Sequence, residues 1–67
     1  TQPKRSLTAR EISVLRYLVK GFKNKEIAES LFISEKTVST YKTRIMAKLG
    51  VKSVIEIANY VERNDLL

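Results

Sequence analysis

A chain of 67 residues with a net charge of +6 is long enough for one small domain but too short for a deep cleft beside its core. It has no cysteine and no histidine, which excludes disulfides, thiolate chemistry and the commonest metal ligand and general base. No apolar run approaches the about 20 residues of a membrane span, so neither a span nor a signal peptide is expected. The excess of Lys and Arg favours an anionic partner.

The first six residues, TQPKRS, are polar, include the only proline and lack apolar periodicity. We interpret residues 1–6 as a linker remnant and residues 7–67 as one domain. Because the chain does not begin with Met, we expect a C-terminal domain of a longer protein. A free-standing small protein that has lost its initiator Met is the alternative.

The first two helices are predicted from their caps. Thr8 and Glu11 have the spacing of a capping box, and Gly21 suits the left-handed position after a helix. Asn24 is a favourable N-cap for a short second helix. The expected buried faces comprise Ile12, Leu15, Leu18 and Val19 in the first helix, and Ile27, Ala28 and Leu31 in the second.

The third and fourth helices are predicted in the same way. Ser34 caps the third helix, which ends near Leu49 because Gly50 follows. Ser53 forms a second capping box with Glu56, and Asn64 can take the left-handed position at the end of the fourth helix. The apolar faces comprise Val38, Tyr41, Ile45 and Leu49 in the third helix, and Val54, Ile57, Ala58 and Val61 in the fourth.

These elements predict an all-α fold of four helices. Only Phe32 and Ile33 separate the second helix from the cap of the third. A connection this short favours a steep crossing of the two helices, which is the geometry of a helix-turn-helix.

The third helix has a second face, away from its apolar stripe, made of short hydroxyl residues and long cations. No acid occurs from residue 36 to residue 55, so we expect no nearby negative charge to compensate the five basic residues there: Lys36, Lys42, Arg44, Lys48 and Lys52. Such a face suits the major groove of DNA, where small side chains reach base edges and flanking cations meet phosphates. We therefore predict base contacts by Lys36, Ser39, Thr40 and Thr43.

Other interpretations remain open at this point. In one interpretation this face is only a solvated surface with no partner. Ser and Thr are mediocre helix formers, so their presence on an exposed face is unfavourable for stability alone. A basic protein-interaction domain fits the charge equally well, and RNA is disfavoured because no exposed aromatic platform is evident. An enzyme is suggested only by the S-x-x-K spacing of Ser39 and Lys42, without its companion motifs.

The segments LTAREISVL, NKEIAESLFIS and KTVSTYKTRIMAKLGV, followed by an amphipathic helix, resemble the LuxR-type helix-turn-helix found at the C-terminus of NarL/FixJ-family response regulators. The third segment is similar to the BvgA/EvgA-like subgroup, and the resemblance runs from Leu7 to about Val61. It implies a cytoplasmic, bacterial two-component regulator in which a receiver domain precedes this one. It also implies a homodimer on promoter DNA, with RNA polymerase as a further partner; a free-standing regulator is the alternative.

The resemblance places base contacts at Ser39, Thr40 and Thr43. The predicted contacts to the DNA backbone comprise Lys23, Asn24, Lys25, Ser34, Thr37, Tyr41, Lys42 and Arg44. The fourth helix is expected to form the dimer interface through Val54, Ile55 and Ala58. The chain departs from many relatives at Ser39, Tyr41 and Thr43, so a relative's base preference does not transfer. No catalytic residue, metal or cofactor is expected.

Overall fold

The computed structural model describes residues 7–66. Within that range the chain forms four helices, α1 (Ala9–Val19), α2 (Asn24–Leu31), α3 (Glu35–Leu49) and α4 (Val54–Asn64), and no strand. This architecture confirms the predicted all-α fold. The predicted linker, residues 1–6, lies outside the described residues, as does Leu67.

The third helix lies at the centre of the fold, because it packs against α1, α2 and α4. Its residues Val38, Ile45 and Leu49 are buried, whereas Tyr41 is half-buried and packs against the edge of the core. The other helices and flanks contribute the remaining buried apolar side chains: Leu7, Val14, Leu15, Leu18, Ile27, Ala28, Ile57, Val61 and Leu66. With one side of α3 fixed in this core, its opposite side is held outward.

Three of the four predicted N-caps are present. Thr8 and Glu11 form a complete capping box, with the Thr8 N–H donating to Glu11 Oε1 at 2.9 Å and the Glu11 N–H donating to Thr8 Oγ1 at 3.1 Å. Ser34 Oγ accepts from the Thr37 N–H at 3.0 Å, and Ser53 caps α4 through the Glu56 N–H. These bonds satisfy amide groups that a helix start leaves without a partner.

The predicted cap of α2 is wrong. Lys23 occupies the N-cap position, and its N–H donates to Glu26 Oε1 at 2.8 Å. The Glu26 carboxylate thereby takes over the capping role, and Asn24 becomes the first helical residue, with its side chain available for another contact.

Two details of α4 also differ from the prediction. Asp65, and not Asn64, has the left-handed backbone, with φ of 51°. The Asn64 side chain instead donates to the Tyr60 carbonyl. The Glu56 carboxylate accepts from the Lys52 N–H at 2.8 Å, one residue before the amide that a capping box would use.

The end of α1 has the arrangement of a Schellman motif. The Gly21 N–H donates to the Leu18 carbonyl and the Phe22 N–H to the Tyr17 carbonyl, while Gly21 has φ of 87°. The rings of Tyr17 and Phe22 lie 5.0 Å apart, which adds the apolar contact that often accompanies this motif. The predicted stop at Gly21 is confirmed.

The turn between α2 and α3 contains a left-handed residue that is not glycine. Phe32 has φ of 58°, and its side chain is 93% exposed. The Ile33 N–H donates to the Ala28 carbonyl at 3.0 Å and closes the end of α2. A left-handed conformation costs a non-glycine residue about 1–2 kcal/mol, so this turn is held by its surroundings rather than by Phe32 itself.

Candidate nucleic-acid interface

The outward side of α3 brings the predicted base-contacting residues together. These four side chains and Arg44 are all exposed and line one open, shallow depression: Lys36, Ser39, Thr40, Thr43 and Arg44. Three of the lining residues carry hydroxyl groups and the other two, Lys36 and Arg44, are cations. The depression is too open to enclose a small substrate, and its shape suits an extended partner laid along the helix.

The three hydroxyl side chains of this depression have different hydrogen bonds. Thr40 Oγ1 donates to the Lys36 carbonyl at 3.1 Å, and Thr43 Oγ1 donates to the Ser39 carbonyl at 3.0 Å. Ser39 Oγ instead accepts from Asn24 Nδ2 of α2 at 3.1 Å. The side chains are therefore oriented before any partner binds.

The predicted backbone-contacting residues lie on two helix starts and on the flank of α3. Lys23, Lys25, Ser34 and Arg44 are exposed, whereas Asn24, Thr37, Tyr41 and Lys42 are half-buried. Ser34 Oγ and Thr37 Oγ1 lie 2.9 Å apart and share a hydrogen bond beside the cap of α3. Tyr41 packs against the core and remains half-buried.

The charge of α3 is compensated at one point, contrary to expectation. Lys48 Nζ lies 2.7 Å from Glu11 Oε1, in an ion pair that joins the end of α3 to the start of α1. The Glu11 side chain is 2% exposed and that of Lys48 is 33% exposed. Lys48 is therefore a structural partner of Glu11, and the acid-free sequence around it did not show this because Glu11 lies 37 residues away.

Two opposing effects act on the pKa of Glu11. Burial raises its pKa, but the hydrogen bond from Lys48, the hydrogen bonds from Thr8 and the positive charge of Lys48 together lower the pKa below its ordinary value of 4.5. The carboxylate is thus ionised at neutral pH. It caps α1 and anchors α3 at the same time.

The residues of the fourth helix predicted to form the dimer interface differ in their solvent exposure. Ile55 is 75% exposed, whereas Val54 and Ala58 are half-buried and Val54 packs against the core. Ile55 is the large apolar side chain of α4 that the fold does not cover.

The sequence did not reveal two contacts that shape this surface. The Asn24–Ser39 hydrogen bond and the Glu11–Lys48 ion pair each join residues distant in the chain. The one available signal was that Glu26 follows Lys23 at capping-box spacing, which frees Asn24 from a capping role.

The described range, residues 7–66, lacks two kinds of feature. No group of three or more Asp or Glu side chains there could hold a metal ion. No helix in this part of the chain is long and apolar enough to cross a membrane.

Comparison with known proteins identifies relatives across most of the chain. The model of the family described as bacterial regulatory proteins, luxR family, matches residues 5–61. EvgA, a DNA-binding transcriptional activator of Escherichia coli K12, is 51% identical over 61 residues, which cover 91% of this chain and 30% of EvgA. The Fimbriae Z protein of Salmonella typhimurium is 49% identical over 61 residues, covering 91% of this chain and 29% of that protein.

A third relative, BvgA of Bordetella pertussis, is 50% identical over 60 residues, covering 90% of this chain and 29% of BvgA. The chain thus spans about three tenths of the length of these curated relatives. The family is one of DNA-binding regulators and not of enzymes, so the S-x-x-K spacing has no catalytic meaning here. The family match and the four-helix fold confirm the resemblance seen in the sequence, and the chain belongs to the LuxR family as a helix-turn-helix DNA-binding domain of a transcriptional regulator.

Proposed function

We propose that this domain binds specific sites in double-stranded promoter DNA by inserting α3 into the major groove. The observation that carries the proposal is the depression on α3 in which the side chains of four short or flexible polar residues and Arg44 meet. An α-helix with its side chains is about 10–12 Å wide and the major groove about 12 Å, so the face can approach base edges closely. Lys36, Ser39, Thr40 and Thr43 contact bases in this arrangement.

Phosphates on either side of the groove meet the remaining predicted residues. Cations at the start of α2 and along α3 neutralise phosphates: the exposed Lys23, Lys25 and Arg44, and the half-buried Lys42. Neutral side chains add positioning contacts to the sugar-phosphate backbone: Asn24, Ser34, Thr37 and Tyr41. These contacts set the register of α3 and carry no sequence information by themselves.

Two copies of the domain form a dimer on DNA through α4. Exposed Ile55, with Val54 and Ala58 beside it, provides an apolar patch for a second copy. Half-sites read by such dimers lie about 34 Å apart, one turn of the double helix. A domain with dimensions of 30 × 20 × 19 Å is of the size needed to place two α3 helices at that spacing.

We further propose that the full-length protein is a two-component response regulator with a receiver domain before this one. Support comes from EvgA, a DNA-binding transcriptional activator of which the aligned region covers only 30%. Activation through contact with RNA polymerase is the corresponding role for this protein, and a free-standing regulator is the alternative.

Selection of binding sites from random duplexes tests the central proposal. We expect enrichment of a defined site with two related halves. Titration of the selected duplex into labelled protein should then shift the amide signals of residues 36–44. If those signals stay in place while another surface responds, α3 does not enter the groove.

The salt dependence of binding separates DNA recognition from docking on an acidic protein. If the four phosphate-contacting cations each neutralise one phosphate, the log–log slope of affinity against salt is about −3.6 per domain. The four are Lys23, Lys25, Lys42 and Arg44. Lys25→Ala should weaken all duplexes alike and reduce the slope by about one. A flat salt response would favour the protein-docking alternative.

A further inference from the structure

The hydroxyl groups on α3 differ in which hydrogen-bonding capacity they leave open. A hydroxyl has one hydrogen to donate and two lone pairs that accept. Thr40 and Thr43 donate their hydrogens to backbone carbonyls of their own helix, at 3.1 and 3.0 Å. What they can still offer a partner is an acceptor oxygen and a methyl group.

Ser39 is in the opposite state. Its oxygen accepts from Asn24 Nδ2 at 3.1 Å, and the structure of residues 7–66 gives its hydroxyl hydrogen no acceptor. Ser39 is exposed and lines the depression on α3, so this hydrogen is available to an incoming group. Ser39 is therefore the hydroxyl of the three that can donate outward.

Asn24 is well placed to fix this state. It is half-buried and lies in the first turn of α2, where the capping role is taken by Lys23 and Glu26. Its side chain crosses to α3 and bonds a residue 15 positions away. Because Asn24 is a donor here, it occupies one lone pair of Ser39 Oγ, and the Ser39 hydroxyl hydrogen is left to donate toward the partner.

We propose that Asn24 is a positioning residue for base recognition, which orients Ser39 as a hydrogen-bond donor in the major groove, and this assignment rests on the DNA-binding function proposed above. Ser39 then pairs with a base-edge acceptor: guanine O6 or N7, adenine N7, or thymine O4. Thr40 and Thr43 favour a thymine methyl, or the amino group of adenine or cytosine. Asn24 thus acts on sequence preference without touching the base.

The test compares base preferences of variants on the site selected by the wild-type domain, with every base pair of that site substituted in turn. Asn24→Ala should lose discrimination at the same base pair as Ser39→Ala, by about fivefold or more. The double variant should lose no more than Ser39→Ala alone, since the two residues act as one unit. Lys25→Ala, which removes a proposed phosphate contact at the neighbouring residue, is the control for a uniform loss: it should weaken binding to every duplex alike and leave the affinity ratios between duplexes unchanged.

Asn24→Asp provides a second variant with an opposite hydrogen-bonding pattern. The carboxylate accepts the Ser39 hydrogen, so Ser39 then offers only lone pairs outward. Preference at that base pair should move toward a base with an amino group in the groove. Because a carboxylate near phosphates weakens binding to all sequences, the measured quantity is the ratio between duplexes at one salt concentration.

The outcomes are distinguishable. If the wild-type domain selects no site, the proposed function fails and the role of Asn24 fails with it. If it selects a site and Asn24→Ala retains full discrimination, or loses affinity equally for every duplex, DNA binding stands and the positioning role is overturned. Thermal unfolding of each variant confirms that the compared proteins are folded.

Discussion

The ion pair between Glu11 and Lys48 should make a measurable contribution to the stability of the domain. Glu11→Gln keeps the size of the side chain and an oxygen for the Thr8 N–H, but removes the charge. A hydrogen bond between charged groups contributes about 1.5–3 kcal/mol. Lys48 is 33% exposed and can turn to water, so we expect a loss of about 1–2 kcal/mol in the free energy of unfolding. For a domain of this size, the unfolding temperature should fall by roughly 5–15 °C.

The matched substitution on the other side of the pair should cost more. Lys48→Met leaves the Glu11 carboxylate, only 2% exposed, without its cation, and burial then raises the pKa of Glu11. The double variant Glu11→Gln, Lys48→Met should recover part of that loss. Lys52→Met is the control, because it removes an exposed positive charge without breaking a buried pair, and should change stability by less than about 0.5 kcal/mol.

The lowered pKa of Glu11 predicts how the stability of the domain changes with pH. Since the pKa of Glu11 is lowered in the folded domain, its stabilisation is present above the ordinary value of 4.5 and is lost as pH falls through the folded pKa. The wild type and Glu11→Gln should therefore differ most at neutral pH and converge in acid. Thermal unfolding followed by circular dichroism measures both quantities. Equal unfolding temperatures at neutral pH would refute the assigned role of the pair.

Three further predictions concern the helix-turn-helix and α4. Ser34→Ala should lower the free energy of unfolding by about 1 kcal/mol in denaturant titrations, because the Thr37 N–H loses its acceptor; an unchanged midpoint would contradict this. Phe32→Asn should raise stability by up to about 1 kcal/mol in the same measurement, since asparagine tolerates the left-handed backbone and the exposed ring has little packing to lose. Ile55→Asp should abolish cooperative occupancy of two half-sites in gel-shift titrations without lowering the unfolding temperature. Ile57→Ala in the core should instead lower the free energy of unfolding by about 2–5 kcal/mol. Unchanged cooperativity in Ile55→Asp would place the dimer contact elsewhere.

The helices and their outward faces could be predicted because their signals are local. A hydroxyl at the cap, as at Ser34, and apolar residues at helical spacing, as at Val38 and Ile45, determine where α3 starts and which side is buried. The predicted base-contacting residues follow from the same periodicity, and they do share one surface.

The missed features depend on contacts between distant segments or on a choice between equivalent neighbours. Glu11 was recognised as a capping residue, but a local pattern does not show that its other hydrogen bond goes to Lys48. Asn24 is a good N-cap by residue type, yet the carboxylate of Glu26 shifts the cap to Lys23. The Asn24–Ser39 bond depends on how α2 and α3 pack, which the sequence alone does not give.

Because α3 touches each of the other helices, the domain should melt as one cooperative unit, including the helices that lie far from any duplex. A ligand held by α3 alone then protects the whole fold by mass action. With free duplex at about 100 times its dissociation constant, the gain is about 2.7 kcal/mol, enough to raise the melting temperature of this small domain by roughly 10–20 °C. Hydrogen exchange at the amides of α1 and α4 should slow as much as exchange within α3.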